Sequence, residues 1–333
     1  MNDDGREAPD PLVYAEDEAA SADDYVDRPG YDPTFLGVGY EIPLPTVRGA
    51  RKNDLAAVRG GGHELRYWTY SVLMSRSRKL PVLSAANFDR DSKSGIDRIG
   101  AWVPDPRMND DDRDFGQVVE QWYRHQNPAG LGRGPFDRGH MTAFENAKWG
   151  TEPKRSGIDT FHFTNCAPQA QAFNEHELWR EIEVFAAERG TGKVTLFNGP
   201  VYDAPVSTVR PDGDFDLDPF GPSSPDKELN GVGVPKLFFK VAVYVKGGEL
   251  AVQSFLVTQE GYLDTIENLQ PAGVDPDDEE ALSELELTLY RVPVAMIERL
   301  TDLDLGELRL AAAVNEEEAE EGYEIVKSLD DLF

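Results

Sequence analysis

The chain has a single cysteine, Cys166, among 333 residues. That excludes an internal disulfide framework and any zinc site built from several thiolates. No run approaches the roughly 18 consecutive apolar residues of a membrane-spanning helix, so no membrane association is expected. The opening MNDDGREAPD lacks both the basic stretch and the apolar core of a secretory signal; a cytoplasmic location is the default expectation. Positive charge is also scarce. There are 33 Lys and Arg against 62 Asp and Glu, a formal net charge of −29. That deficit argues at first against a nucleic-acid partner, for which a basic footprint is usual.

The deficit is not uniform. Residues 1–35 hold 11 acidic and 2 basic residues, and residues 260–333 hold 22 acidic and 4 basic. The intervening stretch is close to neutral, with 29 acidic and 27 basic residues. Within it, residues 66–98 carry seven basic side chains against three acidic ones. Net charge governs solubility and long-range steering, but it does not describe a cleft.

Composition divides the chain into three parts. Residues 1–30, polar and acidic, read as a disordered tail. A globular domain is expected over 31–314, and an exposed acidic tail containing EEEAEE over 315–333. Strands are expected at Arg66–Leu73, Pro81–Asn87, Ile99–Val103, Phe161–Asn165 and Val194–Asn198, with a turn at Gly199–Pro200. The pair 237–245 and 249–258 around Lys246-Gly247-Gly248 predicts a hairpin. A short helix is expected near Phe115–His125. The spacing of Leu178, Ile182 and Phe185 predicts a helix over 174–189, closed by Gly190 and Gly192. Pro293 suits the first turn of another helix over 292–300. Residues 203–235 and 270–284 read as loops. Strands, a helix, then more strands is an α+β order.

Residue chemistry concentrates between Phe136 and Glu183. Asp137-Arg138-Gly139-His140 is followed by Thr164-Asn165-Cys166-Ala167-Pro168-Gln169, then Asn174, then Trp179-Arg180-Glu181-Ile182-Glu183. A histidine accepts a proton from water near neutral pH. An amide oxygen and a carboxylate are hard ligands suited to Mg²⁺. An arginine neutralises phosphate charge. These parts fit metal-assisted phosphodiester hydrolysis. Taken as residue types alone, they fit structural roles too: a turn histidine, a helix-capping asparagine and a solvated glutamate face. His63, His125, His162 and His176 read as structural or surface residues, and Cys166 as a small buried one.

The ordered set resembles the DNA/RNA non-specific endonucleases, the ββα-metal (His-Me finger) nucleases. The Asp-Arg-Gly-His tetrad carries the resemblance first. Next come Thr-Asn-x-x-Pro-Gln, an asparagine nine residues after Asn165, and Trp-x-x-x-Glu at Trp179 and Glu183. Arg78-Lys79-Leu80-Pro81 with Asn87, Asn198-Gly199-Pro200-Val201, Pro235-Lys236 with Lys240, and Ile297-Glu298-x-x-Thr301 extend it over about residues 31–310. The resemblance implies an α+β fold in which helices flank a central antiparallel sheet, with a ββα-metal motif on one face. It implies hydrolysis of DNA or RNA backbones to 5′-phosphate ends, using Mg²⁺, or Mn²⁺ in its place. By motif position, His140 is the general base and Asn174 the metal ligand. Glu183 orients a water of the metal's shell, Asn165 positions His140 or the phosphate region, and Arg138 supports the phosphate. Arg76 and Arg78 are candidate phosphate contacts. On a regular helix Glu177 and Glu181 share the face of Asn174 better than Glu183 does, whereas the Trp179 spacing favours Glu183.

Two other readings stay open: a catalytically silent nuclease-like binding protein, and a phosphodiesterase for small substrates. A nuclease held in the cytoplasm needs an inhibitor protein or another restraint, so an inhibitor joins nucleic acid among the expected partners. The acidic C-terminal stretch, competing for a basic cleft, is one such restraint.

Overall fold

The computed structural model describes residues 21–108, 122–123, 135–170, 174, 177–205, 208–209, 215–216, 223–229, 231–264, 266–267, 270–271, 289–311 and 323–326. The strands that frame the fold are β1 (Glu64–Arg66), β2 (Tyr70–Met74), β3 (Pro81–Asp89), β4 (Phe136–His140), β5 (Cys166–Ala170), β6 (Lys193–Val201), β7 (Leu237–Lys246), β8 (Glu249–Thr258), β9 (Leu289–Arg291) and β10 (Glu324–Val326). Four helices matter for the site and its support: α1 (Phe144–Ala147), α2 (Pro153–Asp159), α3 (Glu177–Arg189) and α4 (Val294–Thr301). Eight strands form one antiparallel sheet in the order β10-β9-β8-β7-β6-β3-β2-β1. β4 and β5 form a separate antiparallel ribbon.

Both faces of the large sheet are covered. Strand side chains alternate between faces, so Leu237-Phe238-Phe239 and Val241-Ala242-Val243 divide between two cores. One face takes Ile182 and Ala186 of α3, the other Val294, Ile297 and Leu300 of α4. Fully burying such a side chain contributes roughly 1.5–3 kcal/mol. The expected hairpin is present as β7–β8. Lys246 faces Glu249 across Gly247 and Gly248, whose φ of 63° and 86° suit a two-residue turn that matches the twist of the strands.

One row breaks the apolar pattern of the α3 face. Ser84 on β3, Asn198 on β6 and Lys240 on β7 stand side by side in register. All three are at most 3% exposed. Ser84 Oγ meets Thr142 Oγ1 at 2.7 Å, and Asn198 Nδ2 donates to Met141 O at 3.0 Å. Lys240 Nζ donates to Trp179 O at 2.6 Å. Buried polar groups need partners. Here those partners are the corner after β4 and the first turns of α3, so this row docks the ββα unit on the centre of the sheet.

Several sequence expectations change. Arg66–Leu73 is not one strand. Tyr67 N donates to Tyr70 O at 2.8 Å, and the chain reverses there between β1 and β2. The reversal stacks the Tyr67 and Tyr70 rings, with centroids 4.6 Å apart. Gly199-Pro200 is no turn but part of β6. A Cβ on Gly199 would come within 2.7 Å of Val82 O and of the Phe239 ring. Pro200 lies beyond Asn198, the last residue that β6 pairs with β3, where a missing N–H is tolerated. Phe161–Asn165 holds a single 3₁₀ turn at Phe163–Asn165, and β5 starts after it. Residues 99–103 contribute only the isolated bridge of Val103 with His162. The loop over 203–235 contains short paired strands at Thr208–Val209, Phe215–Asp216, Lys227–Leu229 and Val232–Val234. Of the helix expected near 115–125, Trp122–Tyr123 are helical and the rest lies outside the described residues, as do residues 272–284 of the acidic loop.

The domain limits move as well. Residues 21–30 belong to the folded unit and not to a tail. Tyr25 is 8% exposed, and its hydroxyl meets His162 Nε2 at 2.6 Å. Arg28 Nε donates to Asp159 Oδ2 at 2.8 Å. At the other end, Glu324–Val326 pairs with β9, and the buried Tyr323 ring meets Tyr290 edge-on at 5.2 Å. Residues 1–20, 312–322 and 327–333 lie outside the described residues.

A buried polar network holds the irregular segment 98–108 to the sheet. Asp105 accepts hydrogen bonds from Arg107 N, Nε and Nη2 and from the Tyr67 hydroxyl. Arg107 also donates to Arg66 O and lies over the rings of Tyr25 and Tyr67, 4.3 and 4.5 Å from their centroids. Burial would raise the Asp105 carboxyl, but the Arg107 charge and its hydrogen bonds outweigh that and hold it at about 2.

Candidate active site

The sequence makes β4 by placing Phe136, Arg138 and His140 on one face and Asp137 and Gly139 on the other. Gly139 is required because the Gln169 side chain of β5 lies across it, 2.0 Å from where a Cβ would be. His140 ends the strand, and Asn165 fixes the corner that follows. Met141 N donates to Asn165 O at 2.8 Å, and Thr142 N donates to Asn165 Oδ1 at 3.0 Å. Asn165 Nδ2 donates to Thr142 O and Thr160 O at 2.8 and 3.0 Å. Asn165 is fully buried, and its amide is engaged on every side inside the protein. Its hydrogen bonds thus hold the corner that follows His140.

The His140 ring is walled by aromatics. Trp102 lies with its ring centroid 4.6 Å away at a 50° tilt, and Phe161 packs edge-on at 5.2 Å. Nε2 is buried without a hydrogen-bond partner. Nδ1, which makes no hydrogen bond among the described residues, keeps the open edge. The Arg138 guanidinium lies over Trp102 at 5.5 Å and that of Arg98 over Phe161 at 5.3 Å. Burial, then the charges of Arg98 and Arg138, push the imidazole down to about 3. His140 is thus proton-free across the neutral range.

Asn174 is half-buried and helical, just ahead of α3. Its Nδ2 donates to Asp137 Oδ2 at 3.1 Å. A carboxylate only accepts, so this bond fixes which way the amide faces and leaves Oδ1 as its free donor atom toward a cation. Asp137 belongs to the tetrad, yet sequence reasoning gave it no role. The contacts of the described residues join Asn174 to Asp137, and His140 to Trp102 and Phe161. None links the two groups directly. The side chain of Glu183 lies outside the described residues, while Glu181 is half-buried on α3. Among the described residues no three His, Cys, Asp or Glu side chains converge into a metal cage.

Two expected phosphate contacts sit differently. Arg78 is taken by two carboxylates, Asp203 at 2.5 Å and Asp226 at 2.7 Å, and covers the Tyr202 ring at 4.7 Å. Burial lifts the Asp226 carboxyl to about 6 despite Arg78 beside it. The Arg78 charge is spent on structure at the β2–β3 turn, which removes it as a free phosphate contact. Arg76, at the same turn, exposes its side chain. The cation that does stand near His140, Arg98, was visible in the sequence only as one member of a basic stretch. Trp102 and Phe161 were not singled out for the site, because their ring contacts with His140 join residues 21 or more positions apart. Cys166 is fully buried, and burial pushes its thiol up to about 12. It carries no nucleophilic thiolate at neutral pH.

Comparison with known proteins agrees with the motif order. The DNA/RNA non-specific endonuclease family model matches residues 52–310. An uncharacterised protein of Sinorhizobium fredii, y4fB, is 29% identical over 248 residues, covering 71% of this chain. The match spans only 33% of that longer protein. Mitochondrial endonuclease G of Bos taurus is 28% identical over 231 residues, 67% of this chain and 70% of that one. The Homo sapiens counterpart is 26% identical over 207 residues, 59% and 63% respectively. A crystal structure of an EndoG/EndoGI inhibitory complex superimposes with a TM-score of 0.47 at 20% identity, over 77% of this chain and 88% of that one. With the family model covering most of its length, the chain belongs to the DNA/RNA non-specific endonuclease family.

Proposed function

We propose that the chain is a divalent-metal-dependent endonuclease that hydrolyses phosphodiester bonds of DNA and RNA without sugar specificity. The observation that carries this reading is His140: a proton-free imidazole at a strand end, open at Nδ1, with Arg98 and Arg138 beside it. Nδ1 takes a proton from a water as that water's oxygen bonds to phosphorus. The P–O3′ bond then breaks with its electron pair going to O3′, which takes up a proton from solvent water, giving a 3′-hydroxyl and a 5′-phosphate. Arg138, on the His140 face of β4, offsets the phosphate charge, and Arg98 adds to the local positive potential. This local field lets an anionic polymer approach a chain of net charge −29. An imidazole at about 3 is a weak base in the free protein. A phosphodiester anion beside it opposes the two arginines and raises its basicity.

The residues present fit a hard cation. Asn174, oriented by Asp137, would hold it through Oδ1, and Mg²⁺ is the proposed ion, with Mn²⁺ able to substitute. When bound it supplies Lewis-acid neutralisation of phosphate charge.

The direct test is incubation with plasmid DNA and with RNA across a Mg²⁺ titration, with and without chelator. Cleavage of both that chelator abolishes is expected; intact substrates at every Mg²⁺ concentration overturn the reading. Asn174→Ala should shift the Mg²⁺ requirement to higher concentration, and an unchanged requirement removes Asn174 as ligand. The pH profile offers a separate check. The folded pKa of His140 lies below the unfolded value, so the basic form survives as pH falls through 6.5 and is lost only toward about 3. The acid limb of kcat/KM, which reports the free enzyme, should accordingly lie well below 6.5. A limb at 6.5 contradicts the assignment.

A further inference from the structure

Histidine bases are usually oriented by a hydrogen bond on the ring nitrogen that does not do the chemistry. Among the described residues His140 has no such bond, since its Nε2 is buried and unpartnered there. Something else must stop the ring from turning about its terminal torsion, which is intrinsically broad for histidine. We propose that Trp102 is the positioning residue of this site, fixing the His140 ring by face contact so that Nδ1 stays directed outward. The inference rests on the nuclease reading above.

Three observations carry it. The Trp102 indole is 4% exposed, with its centroid 4.6 Å from that of the imidazole. Phe161 closes a second side, nearly perpendicular at 87°, so rotation of the imidazole drives it into one ring or the other. Trp102 is itself clamped. It contacts both Phe161 and Phe163, and its neighbour Val103 exchanges backbone hydrogen bonds with Phe161 and Phe163. At Gly100 the backbone runs against Phe161: a Cβ there would stand 2.2 Å from that ring, and its φ is 145°. The Trp102 indole also receives the Arg138 guanidinium, 5.5 Å from its centroid. One side chain thus sets the base and the phosphate-side cation relative to each other. An arginine over an indole is a favourable pair, and a tilted aromatic contact gives roughly 0.5–1.5 kcal/mol beyond area burial.

The experiment compares wild type with Trp102→Phe and Trp102→Leu in the full chain, measuring kcat, KM, thermal stability and the ring-proton NMR shifts of His140, assigned with His140→Gln. Misplacement of a reacting group by about 1 Å costs on the order of 10²-fold. Trp102→Leu should therefore lower kcat by about 10–10²-fold with KM little changed, and move the His140 ring resonances out of the indole's shielding. Trp102→Phe should recover most of the loss, because an aromatic face is restored. If Trp102→Leu loses its fold, the ranking of wild type over Trp102→Phe in kcat, at matched folded fraction, still decides. Wild-type kcat in Trp102→Leu, or unmoved His140 resonances in it, overturns the inference. Absence of cleavage by wild type itself instead overturns the nuclease reading, while the resonances still report whether Trp102 fixes the ring.

Discussion

His140→Ala is expected to lower nuclease turnover by about 10²–10⁴-fold in a protein that remains folded. The size follows from the role. A positioned base takes the water's proton in the transition state, and no described side chain stands ready to replace it. Arg98 and Arg138 remain cationic and cannot accept a proton. Glu181 on α3 makes no hydrogen bond to His140 among the described residues. Truncation also leaves space between Trp102 and Phe161, so some stability is lost, and His140→Gln is the better-matched control for volume. Both variants should retain Mg²⁺ dependence of whatever activity is left, because Asn174 and Asp137 lie in a separate set of contacts. Near-normal turnover in both would remove His140 as the base.

The second large effect concerns stability. Arg107→Ala is expected to destabilise the fold by about 3–5 kcal/mol, the usual cost of leaving one member of a buried ion pair uncompensated. For a chain of this size that corresponds to a fall in Tm of roughly 4–7 °C. Asp105 is 5% exposed, and its carboxylate would lose two of its four hydrogen bonds, those from Arg107 Nε and Nη2, together with the neighbouring charge. The pH dependence gives the sign. Asp105 is held at about 2, below its ordinary value near 3.8, so its contribution is complete above 3.8 and disappears as pH falls through about 2. Without Arg107, burial raises the Asp105 carboxyl above its ordinary value, so the variant takes up its proton first and the penalty of the substitution should already shrink between pH 7 and pH 4. Adding Asp105→Asn to Arg107→Ala should recover part of the loss, since the isolated buried charge is then gone. A penalty unchanged from pH 7 to pH 4, with no recovery in the double variant, would mean the pair does not act as described. Arg107→Ala should also reduce turnover, because the Asp105–Arg107 network anchors the segment that carries Trp102.

Residues close in sequence and regular in pattern were readable. The β7–β8 hairpin follows from two alternating apolar runs around Gly247-Gly248, and α3 from apolar residues at helical spacing. The tetrad and the asparagines that follow it named the site, and the family assignment agrees. Errors arose where local propensity met long-range contacts. Arg66–Leu73 has strand composition throughout, yet Asp159, about ninety residues away, accepts from Trp68 N at the reversal between β1 and β2. Gly199-Pro200 has turn composition, yet closeness to Val82 and Phe239 keeps it in a strand. Arg78 looked like a free cation, but its two carboxylate partners come from positions 203 and 226. Residues 21–30 looked like tail because one aromatic, Tyr25, carries their attachment, and its partner His162 is remote in sequence.

By itself, then, the sequence determined much of the order of elements and the uneven spread of charge behind the total of −29, and it pointed to the residues proposed here as base and cation ligand. Those are properties of spacing and composition along one dimension. Only the tertiary structure decided which charges are spent and which are free. It removed Arg78 from the candidate phosphate contacts and brought Arg98 toward His140. It turned Asn165 into a clamp and Asp137 into the residue that orients Asn174. It also supplied Trp102 as a wall for the base. The physical reason is that pairing, burial and ring contact depend on distances between residues tens of positions apart, and the order of side chains along the chain does not encode those distances locally.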